Sequence, residues 1–134
     1  MRKKTCYMCG ALATTKEHIP PKAIFPKQKD VLGDINLRKK LITVPSCEIH
    51  NNCKSKDDEY LVFCLSTCFH GNGIKEHLFN TKIMRAVERR PNTYADFLAN
   101  YQNVMLKHPC GKIEHTATYN VDTKRFESVL SHIA

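Results

Sequence analysis

The sequence has no apolar run approaching the ~20 residues a helix needs to cross a bilayer, and its opening stretch MRKKTCYMCG has no apolar segment behind its basic residues. The first absence argues against a membrane span and the second against a secretory signal peptide, so a cytoplasmic protein with no membrane partner is expected. Internal repeats and low-complexity tracts are also missing, which leaves one compact domain as the expectation for 134 residues. The cysteines do not come in an even number: there are seven. An odd count in a chain without an export signal speaks against a disulfide framework, and for thiols that bind metal or fill core space.

Acidic residues are scarce in one part only. Residues 1 to 56 hold twelve Lys/Arg against four Asp/Glu, whereas residues 57 to 134 hold nine of each, so the net charge of +8 lies entirely in the first part. A polyanion is the favoured partner, because cations that neutralise phosphates release counterions. A solvated, soluble surface explains the same charge equally well.

The motifs lie in that basic part. Cys6-x2-Cys9 and Cys47-x2-His50 are separated by 37 residues, and each pair sets two ligands on one tight turn. Together they can supply the four N/S ligands of a closed structural zinc site. Gly10 follows the first pair, where a positive φ is often required. Cys53 is the alternative fourth ligand; His50 is preferred because Cys-x2-His closes a knuckle, whereas Cys53 falls on the helix expected to follow. Cys64, Cys68 and His70 have metal-binding chemistry but helical spacing on an apolar face, so core packing is their expected role. Cys110, in HPCGK, has no partner in sequence.

Between the knuckles stands Glu17-His18-Ile19-Pro20, and behind the second comes Asn51-Asn52-Cys53-Lys54-Ser55. A Glu-His pair is ordinarily a surface dipeptide and an Asn at a helix start ordinarily a cap; only their position among paired ligands singles them out. CYMCG, TTKEHIPPKAIFP and LITVPSCEIHNNCKSKDDEYL, taken in order, resemble the small bacterial HNH endonucleases of the ββα-metal or His-Me finger type. Those proteins carry a CxxC, an acidic-His-hydrophobic-x-Pro motif and a CxxC-Asn-x2-Lys motif in the same order. The resemblance covers about residues 5 to 62.

What it implies is hydrolysis of DNA phosphodiester bonds, with His18 as general base, Glu17 and Asn51 as ligands of a catalytic Mg²⁺ or Mn²⁺, and Lys54 against a phosphate. A neutral imidazole can take a proton from water, and a hard cation on carboxylate and amide oxygens can neutralise the scissile phosphate. The sequence departs from the pattern at His50, where relatives usually carry cysteine. It departs also at the middle Asn, for which Asn36, ahead of the inserted LRKK, is the only candidate in the loop. DNA and RNA are not distinguished. The main alternative is a zinc-dependent nucleic-acid-binding module that does not cut; a third is a protein-interaction domain using the near-neutral C-terminal part.

The expected fold is α+β: a ββα core with a zinc knuckle over residues 5 to 67, then helices, one strand and a terminal helix over residues 68 to 134, in one domain. LATTKEHI reads as an extended segment, residues 21 to 40 as a basic loop, and LITV at 41 to 44 as a short strand ended by Pro45. A helix from Asn51 to Thr67 would turn Leu61, Cys64, Leu65 and Cys68 to the core. A second would use Ile74, Leu78, Ile83, Met84 and Val87, and a third, after Pro91, would use Tyr94, Phe97, Leu98, Tyr101, Val104 and Met105. Alternation at Ile113, His115, Ala117, Tyr119 and Val121 predicts a half-buried strand. Asp122 would cap a final helix burying Phe126, Val129, Leu130 and Ile133. That pattern stops without a C-cap, as expected of a piece cut from a longer protein.

Overall fold

The computed structural model of the protein describes residues 3–68, 73–98 and 100–133, and His70 lies outside them. Residues 5–12 form a tight turn in which Cys6 N–H donates to the Ala11 carbonyl at 2.6 Å and Gly10 N–H to that of Cys6 at 3.1 Å. Gly10 has φ +72°, the left-handed conformation that glycine enters at no steric cost. Strand β1 (Thr15–His18) then pairs antiparallel with β2 (Thr43–Ser46), with Thr15 opposite Ser46 and His18 opposite Thr43. Pro45 sits within β2 instead of ending it. Both strands of a two-stranded ribbon are edges, where a residue without an N–H is tolerated.

Helix α1 (Glu48–Thr67) begins three residues ahead of the expected Asn51, with extended Cys47 as its N-cap residue. Glu48 occupies the first turn, where a carboxylate suits the positive end of the helix dipole. Its core stretch is Tyr60, Leu61, Val62, Phe63 and Cys64 in succession, while Leu65 and Cys68 face outward. Five consecutive buried residues mean that this part of α1 is covered on several sides, so a single apolar stripe does not describe it. Phe63 lies 5.4 to 5.7 Å, ring centre to ring centre, from Tyr94, Phe97 and Tyr119.

The second expected helix is α2 (Gly73–Leu78), a π-helical turn (Phe79–Ile83) and α3 (Met84–Arg89). The wider turn rotates the register, burying Leu78 and Ile83 and leaving Ile74 and Met84 exposed. Helix α4 (Pro91–Phe97) starts on a proline, whose missing N–H is unused there. It stops far short of Met105. Asn100 has φ +62°, and Gln102–Lys107 is strand β3, paired antiparallel with β4 (Ile113–Thr118) through a turn in which Gly111 has φ +85°.

The single expected strand is therefore one arm of a hairpin, and its faces are reversed: Ile113, His115 and Ala117 are exposed, whereas Glu114 and Thr116 are half-buried. Helix α5 (Thr123–Ser131) is capped as expected, the Asp122 side chain accepting from Arg125 N–H at 3.0 Å. Val129 is fully buried, Phe126 packs beside the core, and Leu130 is exposed.

The long segment between β1 and β2 is pinned at three points. Two short 3-10 turns, Lys22–Ile24 and Gln28–Asp30, cross it. Arg38 donates twice to the Phe25 carbonyl, at 3.0 and 2.7 Å, Lys82 donates to the Ala23 carbonyl, and Arg85 grips buried Asp30 through two bonds of 3.0 and 2.8 Å. No helix among the described residues is long and apolar enough to cross a membrane.

Ile83→Val, which trims a methylene from a buried site, should lower stability by about 0.5–1.5 kcal/mol. Ile113→Val, on the exposed strand face, should change it by less than about 0.5 kcal/mol; equal losses in urea unfolding would contradict the assigned core. The Asp30 pair adds a pH dependence. The hydrogen bonds from Arg85 hold the Asp30 carboxyl below its ordinary value, so the ionised form is favoured in the folded state. The stabilisation is present above the unfolded value of about 4 and fades as pH falls through the lower folded value. Arg85→Gln should lower the urea midpoint at neutral pH, with the gap to wild type narrowing below about pH 4; a gap that stayed constant into strong acid would refute the role of the pair.

Candidate metal centre and its surroundings

The first turn and the start of α1 bring four donors together. The ligand atoms of Cys6, Cys9, Cys47 and His50 all lie within 4.8 Å of one another. His50 presents Nδ1, 3.6 Å from Cys6 Sγ and 3.2 Å from Cys47 Sγ, while the Cys9 and Cys47 sulfurs are 4.0 Å apart. A tetrahedral ion with metal–sulfur bonds near 2.3 Å needs donor separations of about 3.5–3.8 Å, and these distances bracket that range. The cluster can hold a metal ion.

Cys53 is exposed and outside the cluster, so the preference for His50 agrees with the geometry although its stated reason does not. His50 is itself on the helix, in its first turn. Electrostatics favour a thiolate at Cys6: burial pushes its thiol up, but backbone N–H groups of Met8, Cys47 and Cys9 and the His50 imidazole outweigh that and bring it down to about 5. Cys9 moves the other way; an Ala11 backbone bond lowers it, but burial and the neighbouring Cys6 and Cys47 sulfurs raise it overall. A cation among them relieves that crowding of sulfur charge.

Next to the cluster is a buried charged group. Lys54 Nζ is 2.6 Å from Glu17 Oε1, with side chains 3% and 6% exposed, and Tyr7 donates to Glu17 Oε2 at 3.0 Å. The ammonium makes this close ion pair without a well-directed hydrogen bond. Asp58, one turn beyond Lys54 on α1, is half-buried. Burial raises its carboxyl to about 6, against the pull of Lys54 and with a further push from Glu17. Burial and the Glu17 carboxylate likewise raise the Tyr7 hydroxyl above its ordinary range.

Two of the expected site residues are engaged with each other here. Lys54 is not a surface cation free to meet a phosphate; its length lets the ammonium reach inward to Glu17. Glu17 is not an open metal ligand in this arrangement, since both of its oxygens are engaged. His18 ends β1 and is half-buried, and Asn51 lies one turn into α1, half-buried, its N–H donating to the Cys47 carbonyl at 3.0 Å. Asn36 is exposed, its side chain accepting from Arg38 N–H at 2.9 Å. That bond closes a local turn within the loop.

Of the remaining cysteines, Cys64 is buried in the core as expected, whereas Cys68 and Cys110 are exposed. Tyr7 and Asp58 went unnoticed in the sequence, although both carry a signal: Tyr7 lies inside the first ligand pair, and Asp58 is four residues from Lys54, one helical turn away. No protein-family model, curated protein or solved structure matches the chain.

Purified protein should carry one metal ion per chain by elemental analysis, and Cys53→Ser should retain it. His50→Ala should lose most of it and unfold the first turn, because metal binding at such a site is coupled to folding. Full metal content in His50→Ala, or loss of metal in Cys53→Ser, would show that the fourth ligand is misassigned.

Proposed function

We propose that the protein is a nuclease of the HNH type that hydrolyses DNA phosphodiester bonds, with His18 as general base and zinc as the structural ion in the Cys₃His cluster. One observation carries the reading. A two-stranded antiparallel ribbon ends at His18 on one arm and leads from the other directly into a helix that bears Asn51 in its opening turns, and a four-donor cluster ties the turn ahead of the first arm to the start of that helix. Three thiolates and an imidazole suit zinc better than harder ions.

In the proposed reaction His18 takes a proton from water, the water oxygen bonds to phosphorus, and the P–O bond to the departing sugar oxygen breaks, that oxygen then gaining a proton from solvent. A divalent Mg²⁺ or Mn²⁺ bound by Glu17 and Asn51 would neutralise charge on the phosphate. Glu17 becomes available for this role only when it exchanges Lys54 for the cation, because an ammonium at 2.6 Å from Oε1 and a divalent ion repel each other.

The same buried pair favours a second reading, a nucleic-acid-binding module that does not cut. Incubation with plasmid in Mg²⁺ or Mn²⁺ separates the two. The nuclease reading expects cleavage by the wild type and a fall of roughly 10² to 10⁴ in His18→Ala, with plasmid retention unchanged. A wild type that binds plasmid and never cuts it would install the second reading, and His18→Ala cutting at the wild-type rate would remove His18 from the chemistry.

A further inference from the structure

The two parts of the sequence, one basic and one balanced, meet at a cavity of about 280 Å³ between the 3-10 turns after β1, the middle of α1 and the helix α3. Six cations line it, Lys27 and Lys29 from the turns and Lys82, Arg85, Arg89 and Arg90 from the helical segment, against a single carboxylate, Glu59. Two of the six are already answered. Arg90 and the Tyr94 hydroxyl share Glu59, and Arg85 is taken by Asp30.

Lys27, Lys29, Lys82 and Arg89 have no carboxylate partner among the described residues. The Lys82 ammonium reaches only a backbone carbonyl, that of Ala23. Burial first, then repulsion from Arg38 and Lys27, lowers its pKa to about 8 against the opposing pull of Glu59 and Asp30. Such a cluster is held together against its own field by the packing of turns on helix, and an anion placed among the cations removes that cost.

We propose that this cavity is a phosphate-binding site, in which Lys82 and Arg89 contact the phosphate oxygens and Lys27 and Lys29 close the mouth. Phosphate suits it by chemistry: three ammonium groups and the Arg89 guanidinium line one cavity without a carboxylate ion-paired to any of them, and arginine matches a planar pair of phosphate oxygens. Ser55 of α1 and the apolar residues Val62, Ile83 and Ala86 complete the lining. The site draws on none of the residues assigned to cleavage, so it stands or falls apart from the nuclease reading. Two sources share the chemistry, a small phosphorylated compound and a phosphate of a polynucleotide backbone.

The test is an amide NMR titration of the intact metal-bound chain with inorganic pyrophosphate at low salt. Saturable shifts at Ser55, Val62 and Ala86 are expected, with affinity at least about tenfold weaker in Arg89→Ala and in Lys82→Met, as loss of one charge-assisted bond implies. Arg89 is exposed and has no carboxylate partner, so its loss tests the site even if Lys82→Met disturbs folding. Lys107→Ala, on the hairpin, and His18→Ala should titrate like wild type. A short duplex oligonucleotide that displaces pyrophosphate from these amides identifies the backbone phosphate as the occupant, and one that binds without displacing it identifies a small phosphorylated compound. Shifts that do not saturate, or that persist at wild-type affinity in Arg89→Ala, overturn the proposal.

Discussion

A two-stranded ribbon with four residues in each arm cannot hold itself together in water, and the amino-terminal part of this protein depends on four donor atoms converging from two distant turns. Cys6 and Cys9 come from one turn, Cys47 caps α1, and His50 follows in its first turn. Because Cys47 directly follows β2, the cluster fixes at once where the ribbon ends and where the helix begins. The segment of 37 residues between the ligand pairs is thereby closed into a loop whose ends cannot drift.

The cluster also reaches the charged group beside it. Tyr7 stands between two of the ligands and donates to Glu17, so the geometry of the turn sets one side of the Glu17 carboxylate while Lys54 on α1 sets the other. Burying a carboxylate and an ammonium costs several kcal/mol per ion before their attraction returns any of it. A pair kept under that cost, between the strand that carries His18 and the helix that carries Asn51, holds the two elements at one spacing. Asp58 adds a second carboxylate near a single ammonium, and burial first, with repulsion from Glu17 behind it, leaves it weakly acidic.

Much of this was legible in the sequence. The four metal donors followed from spacing, since ligands come in pairs on tight turns, and the order ribbon then helix followed from turn residues and prolines. Asp122 as a cap and Val129 as a buried position were read from local chemistry and helical period alone. Failures arose where a local rule met a tertiary fact. Val104-Met105-Leu106 fits either period, and the turn residues Pro109 and Gly111 were the signal that decided for a hairpin. Lys54 looked like a surface charge because sequence does not reveal that Glu17 lies within reach. The basic cavity escaped for a related reason: counting charge by halves hides cations of α3 that the fold sets beside those of the loop.

The β3–β4 hairpin differs from the rest of the chain in how it is attached. Both arms are mostly exposed on both faces, and its firm anchor is Tyr119, just past β4, whose ring meets Phe63 and whose hydroxyl shares a hydrogen bond with Thr67. Its amide hydrogens are thus shielded by cross-strand bonds and little else, while those of α1 are shielded by the aromatic core. Opening the hairpin exposes almost no new apolar surface, so it can exchange its amides with solvent through a local event that leaves the core closed. In energetic terms it is a separate small unit carried on the domain.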